Sequence, residues 1–194
     1  MNPQADEITK LIAQWQKGDK SSENALFEAL YRRLRYIALD CLRKESPGKA
    51  MSPTSLVHSA YLRMMRSDRL QIADRGHFLH LAAKVMRQIV VDKARKRRTQ
   101  KREGELAAPD ELDALVANDA DADEILAVDR GLDELAKQSG RFAELVELKH
   151  FAGYSFDEAA VVMNISARQL RRDWRVAITR LKMAIDGAHA AGTS

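Results

Sequence analysis

The chain has 194 residues, with 32 Lys and Arg against 28 Asp and Glu, and a single cysteine, Cys41. One cysteine excludes an intrachain disulfide and argues against a cysteine-built zinc site. Four prolines, nine glycines and a hydrophobic fraction of 45% point to a mostly helical protein able to bury a core. No stretch approaches the ~18 apolar residues of a membrane span and the N-terminus lacks a signal-peptide core, so the expectation is a cytoplasmic protein without membrane contact. The formal net charge of +4 is modest, so the distribution of charge has to carry the functional reading.

Ala5 to Lys17 places Ile8, Leu11, Ile12 and Trp15 on one helical face, and Gly18-Asp19 ends it. A second helix, capped by Ser21 or Ser22, runs to about Glu45 and buries Leu26, Leu30, Leu34, Ile37, Cys41 and Leu42; Ser46-Pro47-Gly48 breaks it. These two elements read as scaffold. Ser52 caps a third helix with Pro53 at its first position, followed by Leu56, Val57, Ala60, Tyr61, Met64 and Met65 at helical spacing. A polar loop from Arg69 to Gly76 precedes the fourth helix.

That helix starts near His77 and has two characters. Phe78, Leu81, Ala82, Val85, Met86, Ile89 and Val90 form an apolar face, while Lys84, Arg87, Lys93, Arg95, Lys96, Arg97, Arg98, Lys101 and Arg102 face a single acid, Asp92. A basic C-terminal turn suits the helix dipole, but this many cations exceed what capping needs and read as a phosphate-backbone footprint. The sign then reverses. Between Arg102 and Arg130 there is no Lys or Arg, and a run of Asp and Glu with Pro109 reads as a flexible acidic linker, with a short helix over Glu111 to Val116.

Two amphipathic helices occupy Asp123 to His150, the first with Ile125, Leu126, Val128, Leu132 and Leu135 and the second with Phe142, Leu145, Val146 and Leu148. They lead into GYSFDEAAVVMNISARQLRRDWRVAITRLK, Gly153 to Lys182. Ser155 and Glu158 make a capping box, Asn164-Ile165-Ser166 a break, and Ser166 with Gln169 a second capping box. Leu170, Trp174, Ala177, Ile178, Leu181 and Ile185 then form an apolar stripe, opposite Arg168, Arg171, Arg172 and Arg175. Two helices joined by a tight turn, the second strongly basic, have the grammar of a helix-turn-helix whose second helix enters the DNA major groove. The plainer alternative is an amphipathic hairpin with solvated arginines.

No catalytic signature accompanies these elements. Glycine loops for phosphates or dinucleotides are absent, His77 and His80 form only a chance-level pair, and Cys41 lies on a core face where inert packing is the default. The expectation is a protein that is not an enzyme and needs no cofactor or metal.

Taken together, LVHSAYLRM (Leu56 to Met64), FLHLAAKVMRQIVVDKARKRR (Phe78 to Arg98) and GYSFDEAAVVMNIS…RRDWRVAITRL (Gly153 to Leu181) resemble the extracytoplasmic-function (ECF) sigma factors of bacterial RNA polymerase. The resemblance implies an all-α chain of two small helical domains joined by an acidic flexible linker. Residues 1–100 would bind core polymerase and the minus-ten element, 101–125 would be the linker and 126–186 the helix-turn-helix domain for the minus-thirty-five element, with 187–194 a tail. By this resemblance Leu56, Val57 and Tyr61 face the polymerase clamp, and the Arg69 to His77 loop holds a base flipped from the non-template strand. Arg87, Lys93, Arg95, Lys96, Arg97 and Arg98 serve the minus-ten element and its phosphates. Arg168, Gln169, Arg171, Arg172 and Arg175 serve the minus-thirty-five element. The acidic linker would thread the polymerase toward its RNA channel, mimicking RNA.

The chain departs from that pattern where family members carry Asp and Glu at the start of the clamp-facing helix. Here the positions read Ser52-Pro53-Thr54-Ser55, with no carboxylate between Met51 and Arg66. A phosphate on Thr54 would restore the charge at a helix N-terminus, which makes a Ser/Thr protein kinase an expected regulatory partner beside core RNA polymerase and promoter DNA. The competing reading is a plain helix cap with apolar clamp contacts. Two other functional classes stay open at this point: a stand-alone helix-turn-helix regulator, and a signalling adaptor with solvated basic faces.

Overall fold

The computed structural model describes residues 3–42, 52–66, 71–103 and 119–191, and no described residue lies in a strand. The helices are α1 (Pro3–Gln16), α2 (Lys20–Leu42), α3 (Pro53–Met65), α4 (Arg75–Glu103), α5 (Asp119–Gln138), α6 (Gly140–Val146), α7 (Phe156–Met163) and α8 (Ala167–Ala191). A single π-helical turn, Glu147–Phe151, continues α6.

Helix ends follow the local chemistry. Gly18 takes φ +90° to close α1. The cap of α2 is Asp19 rather than Ser21 or Ser22. Its carboxylate accepts from the Ser21 backbone N–H at 2.9 Å and from both serine hydroxyls, which holds its pKa below the usual range. Ser52 caps α3 as expected, its hydroxyl accepting from the Ser55 N–H at 3.1 Å with Pro53 at the first position. Asp74 opens α4 two residues earlier than expected by accepting from the His77 N–H at 2.8 Å. The Ser46-Pro47-Gly48 break and the expected helix at Glu111 to Val116 lie outside the described residues.

The expected linker is shorter than 101–125 as far as it is described. α4 runs through Glu103, and α5 begins at Asp119. Ala122, inside the expected linker, is buried among the core residues.

Packing joins the two halves of the chain. One buried cluster includes Leu26, Leu30, Ile37, Leu56, Phe78 and Met86 from the N-terminal half, and Leu126, Leu145, Leu148, Tyr154, Ala159 and Leu170 from the C-terminal half. A smaller cluster of Leu132, Leu135, Ala143, Val146 and Ala177 ties α5 and α6 to α8. Backbone seams reinforce the join. Arg33 of α2 donates to the Gly153 carbonyl at 2.7 Å, and the buried Tyr154 hydroxyl donates to the Gly76 carbonyl at 2.8 Å. The two halves pack against each other through these contacts.

Candidate nucleic-acid interface

Two basic surfaces were expected, and they differ in how they are presented. On α7 the capping box is complete, with Ser155 and Glu158 exchanging both hydrogen bonds. Asn164 then turns the chain through the left-handed region at φ 52°, a conformation its short polar side chain tolerates. The second box is only half made. The Ser166 hydroxyl accepts from the Gln169 N–H at 3.2 Å, but the Gln169 side chain donates forward to Asp173 at 2.8 Å instead of back to the cap.

Asp173 explains the diversion. It is buried within the apolar stripe of α8 and lies 3.2 Å from Arg141 of α6, so it ties the start of α8 to its support helix. Leu170 and Ala177 pack on either side of it, and Trp174 meets Phe156 edge-on at 6.3 Å. The opposite face carries Arg168, Arg172 and Arg175, exposed and outside any ion pair among the described residues. Arg171 shares that face, stacking on Phe156 at 5.4 Å and lying 3.7 Å from the exposed Asp157. Three charges thus remain fully open to an anionic partner, and Gln169 is engaged within its own helix.

On α4 the arginines are divided. Arg95, Lys96 and Arg98 are exposed, and Lys93 and Arg97 half-buried. Arg87, however, points into the seam between the halves. It bonds Asp129 of α5 at 2.6 Å and approaches Glu147 of the π-helical turn at 3.4 Å. Arg95 binds the other Asp129 oxygen at 2.9 Å. Lys84 and His80 complete the row, 3.5 and 3.6 Å from Glu147. The spacing 80, 84, 87, 95 keeps these side chains on one helical face. Burial pushes the His80 pKa down despite the carboxylate beside it, and its buried Nδ1 has no partner. An imidazolium there would strand an N–H donor, so the ring is neutral.

The remaining expected residues fall elsewhere. Leu56 and Val57 are fully buried in the core, so neither side chain is available to a partner while this half is folded; the outward face of α3 is Thr54, Ser55, His58, Leu62 and Arg63. Tyr61 is half-buried and donates to Glu23 at 2.7 Å. Thr54 is exposed, its hydroxyl 3.4 Å from that of Tyr31, and the first turn of α3 carries no acid. Of the loop ahead of α4, residues 71–74 are described. Ile72 is pinned by two hydrogen bonds to Gln16, at 2.8 and 3.0 Å. His77 accepts from the Ala73 N–H while His80 faces Glu147, so the two imidazoles share no site. Burial raises the Cys41 thiol pKa to about 12, leaving it unreactive. Among the described residues no group of three potential metal ligands converges, and no helix is long and apolar enough to cross a membrane.

Asp129, Glu147 and Asp173 were not anticipated. The available signal was a carboxylate standing inside an apolar stripe: Asp129 three residues from both Leu126 and Leu132, and Asp173 between Leu170 and Ala177.

The family model for ECF sigma factors matches residues 5–187, both halves and everything between. The chain belongs to the ECF sigma factor family. Comparison with curated proteins and with solved structures returns no match. As an ECF sigma factor it is an alternative sigma subunit that binds core RNA polymerase and promoter DNA and directs transcription, a role performed on the cytoplasmic polymerase. The family is one of transcription initiation factors rather than of enzymes. The stand-alone regulator and the adaptor are set aside by the same match.

Proposed function

We propose that this sigma factor reads duplex minus-thirty-five DNA with the N-terminal part of α8 and holds the minus-ten element against α4. The observation that carries the proposal is the row of Arg168, Arg171, Arg172 and Arg175 on the open face of a helix that follows a capped helix and a tight turn. Such a helix places its early residues at base edges, where arginine pairs with guanine, while later arginines clamp phosphate. Gln169 reads a base only after leaving Asp173. In residues 1–100, Arg87, Lys93, Arg95, Lys96, Arg97 and Arg98 bind the minus-ten strand and its phosphates, and the outward face of α3 meets the polymerase clamp. The residues between the end of α4 and the start of α5 thread between the two DNA-binding regions.

The finer part of the proposal concerns Thr54. Its exposure, its place in a first helical turn without acids and the dipole at that end together suit a phosphate. The modified residue adds roughly two negative charges toward the polymerase, and the partner that installs them is a Ser/Thr kinase. Binding to core RNA polymerase is to be compared for the unmodified chain, the Thr54-phosphorylated chain and Thr54→Ala treated with the same kinase. Binding by the phosphorylated form alone supports the switch. Equal binding by all three keeps the polymerase contact and discards the phosphate, and binding by none removes the clamp contact assigned to α3.

A further inference from the structure

We propose that Asp173 is a positioning residue that sets base specificity: it holds the Gln169 amide against its own helix, which removes adenine recognition from the first turn of α8 and leaves base reading there to the arginines. This rests on the assignment of α8 to minus-thirty-five DNA made above.

Gln169 is the third residue of α8, in the turn that a recognition helix presents to base edges. It lies one turn before Arg172, at the border of the open arginine row. A glutamine reads adenine with both ends of its amide, the oxygen accepting from N6 and the nitrogen donating to N7. That requires the amide to point away from its helix. Here Nε2 instead donates along the helix to Asp173 Oδ1 at 2.8 Å.

The hold is strong for three reasons. The acceptor is a carboxylate, so the bond is charge-assisted. Asp173 is only 5% exposed, so little water competes for its oxygens. Its other oxygen, Oδ2, is buried without a hydrogen-bond partner, although Arg141 of α6 lies 3.2 Å away as an ion pair. Taking Gln169 away would leave both oxygens of a buried carboxylate without a hydrogen bond, a cost of the same order as the gain from one bidentate base contact. The two offset, and adenine gains nothing at this position. Gln169 also forgoes the reciprocal cap bond, since only its backbone N–H meets Ser166, at 3.2 Å. Arg168, Arg172 and Arg175 carry no such restraint: all three are exposed and outside any ion pair among the described residues.

The test selects duplexes randomised over the upstream promoter region on the full chain bound to core RNA polymerase, and sequencing gives the base preference at each position. Asp173→Ala is expected to gain about tenfold preference for adenine at one base pair, the size of a bidentate contact. Adding Gln169→Ala is expected to abolish that gain. Asp173→Asn keeps a hydrogen bond to Gln169 in either orientation of its amide and is expected to keep the wild-type preferences. Asp173→Leu suits the apolar stripe; it carries the same expectation as Asp173→Ala and replaces it should the alanine variant lose helicity. A purely structural Asp173 would weaken every sequence alike. No new adenine preference in the releasing variants, or one that survives Gln169→Ala or appears equally in Asp173→Asn, overturns the proposal. Replacing Arg168, Arg172 and Arg175 together by alanine separates this from the reading beneath it. If that variant loses the minus-thirty-five preferences while the Asp173 variants gain none, α8 stands as the DNA reader and the role of Asp173 falls. If the preferences survive the arginine substitutions, the assignment of α8 itself falls.

Discussion

Arg87 of α4 and Asp129 of α5, 42 residues apart in sequence, meet at 2.6 Å across the seam between the two halves of the chain. Their side chains are only 13% and 7% exposed, whereas Arg95, the second partner of Asp129, is 57% exposed. Low exposure makes the first pair the stronger coupling, because water screens the second.

A double-mutant cycle on Arg87→Ala and Asp129→Ala, followed by urea unfolding, should therefore give a coupling of roughly 2 kcal/mol. The Arg95–Asp129 cycle should give about 1 kcal/mol or less. Equal couplings would mean that exposure does not rank these pairs.

His80 provides a pH dependence. Its pKa lies below the ordinary 6.5 because burial outweighs the pull of Glu147, with Lys84 and His77 also lowering it and Glu144 opposing them. The unfolded chain then binds a proton that the folded chain refuses. The stability owed to the neutral ring is complete above pH 6.5 and is lost as the pH falls through the folded value. Urea midpoints should decline on acidification from that point, and His80→Gln should flatten this part of the profile. An unchanged slope in the variant would assign the titration to another group.

On α8, Arg172→Ala and Arg175→Ala should weaken promoter binding without altering thermal stability, since both side chains are exposed. An arginine on phosphate lowers the salt slope by about one and weakens all sequences alike; an arginine on a guanine costs roughly 1–3 kcal/mol at one position and relaxes preference there. Binding across a mutated minus-thirty-five series sorts the two residues between these roles.

Gly131 sits inside α5, where alanine would ordinarily add up to about 1 kcal/mol of helix stability. A β-carbon there would meet Ile185 Cγ1 at 2.7 Å and Leu181 Cδ1 at 3.2 Å. Gly131→Ala should thus destabilise the packing of α5 on α8 by a net ~1 kcal/mol, overpacking outweighing propensity. A rise in the urea midpoint would show that α8 yields freely at this point.

Much of this architecture was legible in local pattern. The caps at Ser52 and Ser155, the break beginning at Asn164 and the basic row from Arg168 to Arg175 follow from neighbours within four residues, which one sequence window contains. The same reasoning misplaced the cap of α2, because Asp19 and the two serines after it are all good capping residues and only geometry chooses among them. Family resemblance assigned Leu56 and Val57 to the polymerase clamp, while their apolar spacing is that of a core face, and the structure buries both side chains.

What the chain determined by itself is its helical class, its apolar faces and the basic character of α4 and α8, since periodicity fixes which residues share a side of a helix. What tertiary structure alone decided is the occupant of each side. Arg87 and Arg172 are the same residue type on similarly basic helices, yet one is enclosed by Asp129 and Glu147 while the other stands open. Helical spacing repeats within a few residues, whereas the carboxylates that cover Arg87 arrive from 42 and 60 positions away, and only the docking of two hydrophobic faces brings them there.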